Sequence, residues 1–393
     1  MKIALVSQGY PPETAGGGIG SQTFIKAKGL SALGHEVFVI SRRDTRGYRT
    51  KEGQVNVIRV PGLEDYFYEE NDINQWKKHS IVIAAEIKDL QERVGIDLID
   101  FPDWGAEGYT YLLNRSQSDK IPTVIQLHGP LVMLAHTIGY PEIGSEFYRI
   151  GTQMEATCVR LADAVYSSSE CSAQWIRKFY DPQKENIPTI HLGVDTSKFA
   201  PQTVPKNERP TIIFVGKIVK NKGVEELVEA AGNLVRDFPY LRLRLIGRGQ
   251  EAVVESLKEK ADKLGASELM DFAGFVDRDH LPEELSRAHV FAAPSYYEGG
   301  PGFVFLEAMS CGLPVVGCRG SGVEEIVTSG KTGLLVPPRD SKVLEEALRK
   351  ILSDKKLLEV MGANAREYVL KEADSQVCLK KLESFYDSVV DSR

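Results

Sequence analysis

Two carboxylates flank a glycine-rich turn in the run Glu298-Gly299-Gly300-Pro301-Gly302-Phe303-Val304-Phe305-Leu306-Glu307. Unpaired amides at a helix start can hold a diphosphate, and each glutamate can accept from sugar hydroxyls. Upstream, Gly216-Lys217 and Lys222-Gly223 bracket a loop, where two lysines suit the charge that builds on a departing phosphate. Taken singly, a lysine there is a solvated side chain and Glu307 a carboxylate favoured by a helix dipole.

A second glycine set, Gly16-Gly17-Gly18-Ile19-Gly20, follows Pro11-Pro12 and opens a helical pattern. It reads either as a phosphate loop or as a flexible turn. No Gly-Lys-Ser/Thr follows, so it is not a Walker loop, and Ser21 breaks a GxGxxG. Gly247-Arg248-Gly249-Gln250-Glu251-Ala252 does fit GxGxxA and brings in a dinucleotide-dependent oxidoreductase as a competitor. The next strand, however, ends in Ala273-Gly274-Phe275 and not in a ribose-binding acid. Asp103-Trp104 with Glu107 offers an aromatic platform beside carboxylates, suited to a sugar or polyol acceptor. Tyr66-Phe67-Tyr68 reads as a rim or a core contact. Arg42, Arg43, Arg46 and Arg49 read as a solvated basic loop, and Asp277-Arg278-Asp279 as solvated surface despite its likeness to a metal-binding DxD.

The elements that position these residues alternate. Short β-branched runs such as Ile3–Ser7, Thr123–His128 and Thr211–Val215 are separated by amphipathic segments such as Gln22–Leu33 and Ser341–Asp354. That pattern belongs to parallel sheets built from βαβ units. A polar, proline-bearing stretch from Asp195 to Pro210 divides two such series. The expectation is α/β, with two tandem doubly wound Rossmann-like domains over 1–196 and 197–374. An amphipathic segment from Ser375 is expected to pack back on the first.

At 393 residues the chain exceeds the span of one core. Net charge is −7, and the half to residue 196 carries 20 Lys/Arg against 25 Asp/Glu. Neither half is basic, which argues against nucleic acid as a partner. Five scattered cysteines show no metal spacing and suit reduced thiols. The opening apolar run is too short for a signal peptide, and no run approaches a membrane span. The expectation is a cytoplasmic protein, with membrane association peripheral at most and no metal or other cofactor.

The ordered set of motifs over nearly the whole chain resembles the family-4 retaining glycosyltransferases of the GT-B fold. It includes Pro11-Pro12…Gly17-Gly18, Ile190-His191-Leu192-Gly193-Val194-Asp195, Val215-Gly216-Lys217…Lys222-Gly223, Leu245-Ile246-Gly247, Phe272-Ala273-Gly274-Phe275-Val276, Glu298…Glu307-Ala308-Met309 and Gly330-Lys331-Thr332-Gly333. The resemblance implies two domains facing a central cleft and a nucleotide-sugar donor, commonly a UDP-sugar. Amides at Gly17 and Gly18 would face the diphosphate, which Lys217 and Lys222 would bind. His128, on residue type alone a packed strand-end histidine, would contact the transferred sugar. Glu298, with amides of Gly299, Gly300, Gly302, Phe303 and Val304, would hold donor hydroxyls, and Glu307 the ribose. Backbone at Gly216, Gly247, Gly274, Phe275 and Val276 would line the nucleotide. Three departures stand out. The family's usual glutamate spacing is one residue shorter, Pro301 lacks an amide donor, and Lys217 stands where an arginine is common. A GT-B epimerase or a non-catalytic sugar-nucleotide sensor are the competing functions.

Overall fold

A computed structural model describes residues 1–12, 18–43, 47–61, 73–116, 120–182, 186–191 and 193–392. Gly17, Arg46 and the Tyr66-Phe67-Tyr68 run lie outside the described residues. The chain forms two compact units, Met1–Leu192 with Cys378–Arg393, and Gly193–Val377.

Unit 1 is a seven-stranded sheet ordered β3-β4-β2-β1-β5-β6-β7. Its strands are β1 (Lys2–Ser7), β2 (Glu36–Arg43), β3 (Tyr48–Glu52), β4 (Val55–Pro61), β5 (Leu98–Pro102), β6 (Thr123–Leu127) and β7 (Ala164–Ser167). All neighbours run parallel except β3, which pairs antiparallel with β4. Central strands are buried through their middles and mostly apolar there, because helices cover both faces: Ile3 to Val6, Val37 to Ile40 and Val124 to Leu127 are all buried, Gln126 being the polar exception. The reading of Arg42, Arg43 and Arg49 as a solvated loop is corrected. The first two end β2, and Arg49 lies in β3, where it binds Asp89 at 2.6 Å and also Glu86. Strand β3 escaped sequence reading because it is a polar edge with no buried face.

The end of the chain belongs to unit 1 through the helix Ser375–Asp391, whose Leu379, Leu382 and Tyr386 are buried. Within that unit His35 and Glu383 pair at 2.8 Å. The Tyr386 hydroxyl donates to Asp100, which also accepts from Lys26 Nζ at 2.6 Å and Tyr166 at 2.7 Å. A buried charge is tolerable only when its hydrogen bonds are met this fully.

Unit 2 is a six-stranded, all-parallel sheet ordered β10-β9-β8-β11-β12-β13. The strands are β8 (Thr211–Val215), β9 (Arg242–Ile246), β10 (Met270–Gly274), β11 (Val290–Ala292), β12 (Val315–Cys318) and β13 (Gly333–Val336). Between β12 and β13 the chain makes a 3₁₀ turn, Gly322–Glu325, and after β13 a long helix spans Lys355–Glu372. In each unit the strand order reverses beside the first strand, between β1 and β5 and between β8 and β11. Open α/β sheets bind ligands at such switch points, outside the carboxyl ends of the strands.

Candidate active site

The switch point of unit 2 is framed by the loops after β8 and β11. The β8 loop closes with a 3₁₀ turn, Lys220–Lys222, and a left-handed Gly223 at φ 67°. A Cβ on Gly223 would lie 2.1 Å from the Pro294 carbonyl oxygen, so only glycine lets this loop seat against the one after β11. The seating brings Lys222 and Glu298 together across 76 residues, with Lys222 Nζ donating to Glu298 Oε1 at 2.5 Å. Both keep some exposure, so the pair is built yet reachable. Lys217, earlier in the loop, is exposed.

Glycines also bring the ends of β8, β9 and β10 together. Gly247, at φ 146°, donates its amide to the Gly274 carbonyl at 2.8 Å, and a Cβ there would meet the Gly216 oxygen at 1.8 Å. Gly216, Gly247 and Gly274, three expected nucleotide contacts, thus stand side by side as bare backbone. Phe275, next along, is 63% exposed, and the Arg248 guanidinium lies 4.8 Å from its ring centroid. Its ring is a solvent-facing apolar plate. Val276 is partly buried beside it.

After β11, the chain runs through Glu298, Gly299 and Gly300 to the helix Phe303–Ser310, with Gly302 as its N-cap. The first amides of any helix have no partner within it, and at this helix start a Cβ on Gly302 would stand 3.9 Å from the Glu298 carboxyl carbon. Glu307, one turn in, is 3% exposed. Burial lifts its carboxyl from 4.5 to about 7, against the pull of Arg278, whose guanidinium donates to Oε1. Arg278 is exposed, as read from the sequence, and is also the partner of the buried glutamate, stacking over the Phe199 ring at 5.5 Å. Its neighbour Asp279 pairs with Lys198. The signal in sequence was its place just past the carboxyl end of β10. Its partner lies 29 residues away in another βα unit, beyond local pattern. Tyr296 was also passed over; its hydroxyl donates to Glu226 at 2.5 Å and its ring carries Arg339 at 4.8 Å.

In unit 1, Gly18 begins the helix Gly18–Ala32, with open space where a Cβ would stand. His128 follows β6. Burial, with Lys26 adding repulsion, presses its imidazole down to about 3, so the ring is neutral at ordinary pH. Its Nδ1 is buried with no hydrogen-bond partner among the described residues. The assignment of Asp103 and Glu107 as acceptor contacts is corrected. Asp103 is 1% exposed and accepts from the amides of Trp104 at 2.8 Å, His128 at 3.0 Å and Gly129 at 3.2 Å. Its work is to hold the His128 turn, and burial lifts its carboxyl to about 6. Glu107, also 1% exposed, accepts from the Gln8 amide at 3.0 Å and faces His79 at 3.3 Å. Trp104 packs edge-on against Trp76. These residues brace loops at the carboxyl ends of β1, β5 and β6.

Among the described residues no group of three His, Cys, Asp or Glu side chains is placed to hold a metal ion, and no helix is long and apolar enough to cross a membrane.

Comparison with known proteins places this architecture. Residues 16–198 match the model of Glycosyltransferase Family 4, and residues 195–368 that of Glycosyl transferases group 1. The chain is 27% identical to the glycogen synthase of Mycobacterium tuberculosis over 391 residues, 96% of this chain and 92% of that protein. It is 33% identical over 193 residues to a GDP-mannose-dependent alpha-(1-6)-phosphatidylinositol monomannoside mannosyltransferase of Mycolicibacterium smegmatis, 45% of this chain and 50% of that one. Among solved structures, a sucrose-phosphate synthase from Thermosynechococcus elongatus superposes with a TM-score of 0.86 over all of both chains, at 22% identity.

Proposed function

We propose that this chain, which belongs to the family-4 glycosyltransferases of the GT-B fold, moves a hexosyl or N-acetylhexosaminyl group with retention of anomeric configuration. The donor is a nucleotide diphosphate sugar, with UDP proposed as the nucleotide commonest in the resembled family. The acceptor is a hydroxyl of a sugar, polyol or other small molecule.

The observation that carries the reading is the Lys222–Glu298 pair at the switch point of unit 2, with buried Glu307 one helical turn beyond. Lys222 and Lys217 take the diphosphate. Glu298 and the amides of Gly299, Gly300, Gly302, Phe303 and Val304 take the sugar. Glu307 takes the ribose hydroxyls, exchanging Arg278 for the ligand, while bare backbone at Gly216, Gly247 and Gly274 with the Phe275 plate lines the nucleotide. In unit 1, neutral His128 and the amide of Gly18 act on the donor. A neutral imidazole with an open Nδ1 suits a hydroxyl partner better than a charge.

The chemistry is front-face displacement. The acceptor oxygen bonds to the anomeric carbon as the bond to the diphosphate oxygen breaks, and the acceptor proton passes to that oxygen. The protein supplies orientation and charge stabilisation, and we propose that no metal is needed.

A screen of UDP-, GDP- and ADP-sugars for released nucleotide diphosphate, with and without candidate acceptors, tests the donor. Release from GDP-sugars alone would replace UDP. Proton NMR of the glycoside made from an α-linked donor tests the stereochemistry, and a β-linked product overturns retention.

A further inference from the structure

A cavity of about 740 Å³ opens in unit 2 at the edge opposite the donor loops. Its lining includes Lys206, five residues before β8, Ser286 at the end of the helix leading to β11, and Gly312, just before β12. All three stand at the amino ends of parallel strands, whereas donor ligands of such sheets bind at the carboxyl ends. It is therefore a second place, outside the chemistry proposed above.

Its charge is distinctive. Lys206, Arg366 and Lys371 line it against a single carboxylate, Glu367, in a chain whose net charge is −7. Lys206 donates to the Ala288 carbonyl at 2.5 Å, and Arg366 donates through Nη1 to the Ser310 and Phe199 carbonyls. Among the described residues, neither has a carboxylate partner. Lys206 therefore keeps spare N–H donors, as do Nε and Nη2 of Arg366. Lys371 lies at the rim, 3.5 Å from Glu372, whereas Lys206 and Arg366 satisfy carbonyls but not their own charge, and such cations attract an anion.

The same contacts lead to the donor site. The Phe199 carbonyl accepts from both Arg366 and the Ser310 hydroxyl, and its ring lies under Arg278, the partner of Glu307. Ser310 ends the helix that carries Glu307. Anything that draws the Arg366 guanidinium toward the cavity alters the support of Phe199, and with it the Arg278–Glu307 pair.

We propose that this cavity is an effector site for a small phosphorylated or carboxylated molecule, and that its occupancy is sensed at Glu307. The coupling is reciprocal, since two ligands on one protein must change each other's affinity equally.

Calorimetric titration of the full chain with inorganic phosphate, and separately with citrate, tests it in the presence of saturating UDP, which fills the donor site. The expected result is saturable binding of at least one anion. Binding weakens about tenfold or more in Lys371→Glu and Arg366→Gln, as loss of one charge-assisted contact requires, and is unchanged in Lys263→Ala. Arg366→Gln removes internal hydrogen bonds and is judged only if its melting curve matches the parent. Lys371→Glu touches no such bond and carries the test otherwise. Absence of binding, or equal binding in all variants, overturns the site. The sensing is read from the UDP affinity with and without the bound anion: a shift of threefold or more is expected, and no shift overturns the coupling. If UDP itself fails to bind, the donor reading falls, while the anion titrations and their variants still decide the cavity.

Discussion

Glu307 offers the sharpest test, because its burial and its proposed function pull stability in opposite directions. In the folded chain its carboxyl is raised from 4.5 to about 7 by burial, after Arg278 has offset part of the cost. A raised carboxyl binds its proton more tightly folded than unfolded. Its contribution to stability is therefore favourable at low pH, is lost as pH climbs from about 4.5 to about 7, and is constant above. Each tenfold in acidity is worth about 1.4 kcal/mol, so holding Glu307 ionised at pH 8 costs unit 2 about 3 kcal/mol. Glu307→Gln keeps the shape and removes the ionisation. The variant should be more stable than the parent at pH 8, by up to about 3 kcal/mol. The two should converge near pH 4.5.

The assay can isolate the right unit. All three tryptophans, Trp76, Trp104 and Trp175, lie in unit 1. A urea transition seen by far-UV circular dichroism but not by tryptophan fluorescence therefore reports unit 2. The same substitution should weaken UDP binding at pH 8 by ~1.5–3 kcal/mol, because a ribose hydroxyl pair loses a charged acceptor. In the parent, UDP affinity should rise with pH through about 7 as the carboxylate forms. A glutamine variant that is less stable at pH 8, or that binds UDP as the parent does, refutes the reasoning.

Lys222→Ala should lower turnover by far more than it shifts the unfolding midpoint, since the work proposed for the lysine is on charge that develops as the diphosphate departs. Normal turnover with early melting would make it structural. Asp103→Ala strands three backbone amides in a buried turn and should cost ~2–4 kcal/mol in the fluorescence-detected transition; a loss below about 1 kcal/mol would remove it as the holder of the His128 turn. His128 should stay neutral throughout the working range. NMR of the histidine rings should show one signal, missing in His128→Gln, that does not titrate above pH 5.

What the sequence disclosed, and what it withheld, divides by the range of the interaction. Period and turn chemistry are local, so the two βα series and the places of Lys222, Glu298 and Glu307 at strand ends and a helix start could be read directly. The mate of a charged residue is not local. Arg278 between two aspartates is solvated, as its neighbours suggest, but that its guanidinium reaches Glu307 appears only once β10 and β11 lie in one sheet. Asp103 and Glu107 beside a tryptophan look like a sugar platform until β5 is flanked by β1 and β6, whose loops supply the amides that occupy both carboxylates. The misreading of Asp103 and Glu107 has one cause: a carboxylate in a loop reads as a ligand for something outside the chain, when the chain's own unpaired amides compete for it. Backbone amides at strand ends are numerous, held at short range and already paid for in folding entropy. A loop carboxylate between two glycine-bearing turns is therefore more safely read as the brace of a site than as its contact. Glu298 differs, because its carboxylate pairs with Lys222, a lysine that a diphosphate can take away.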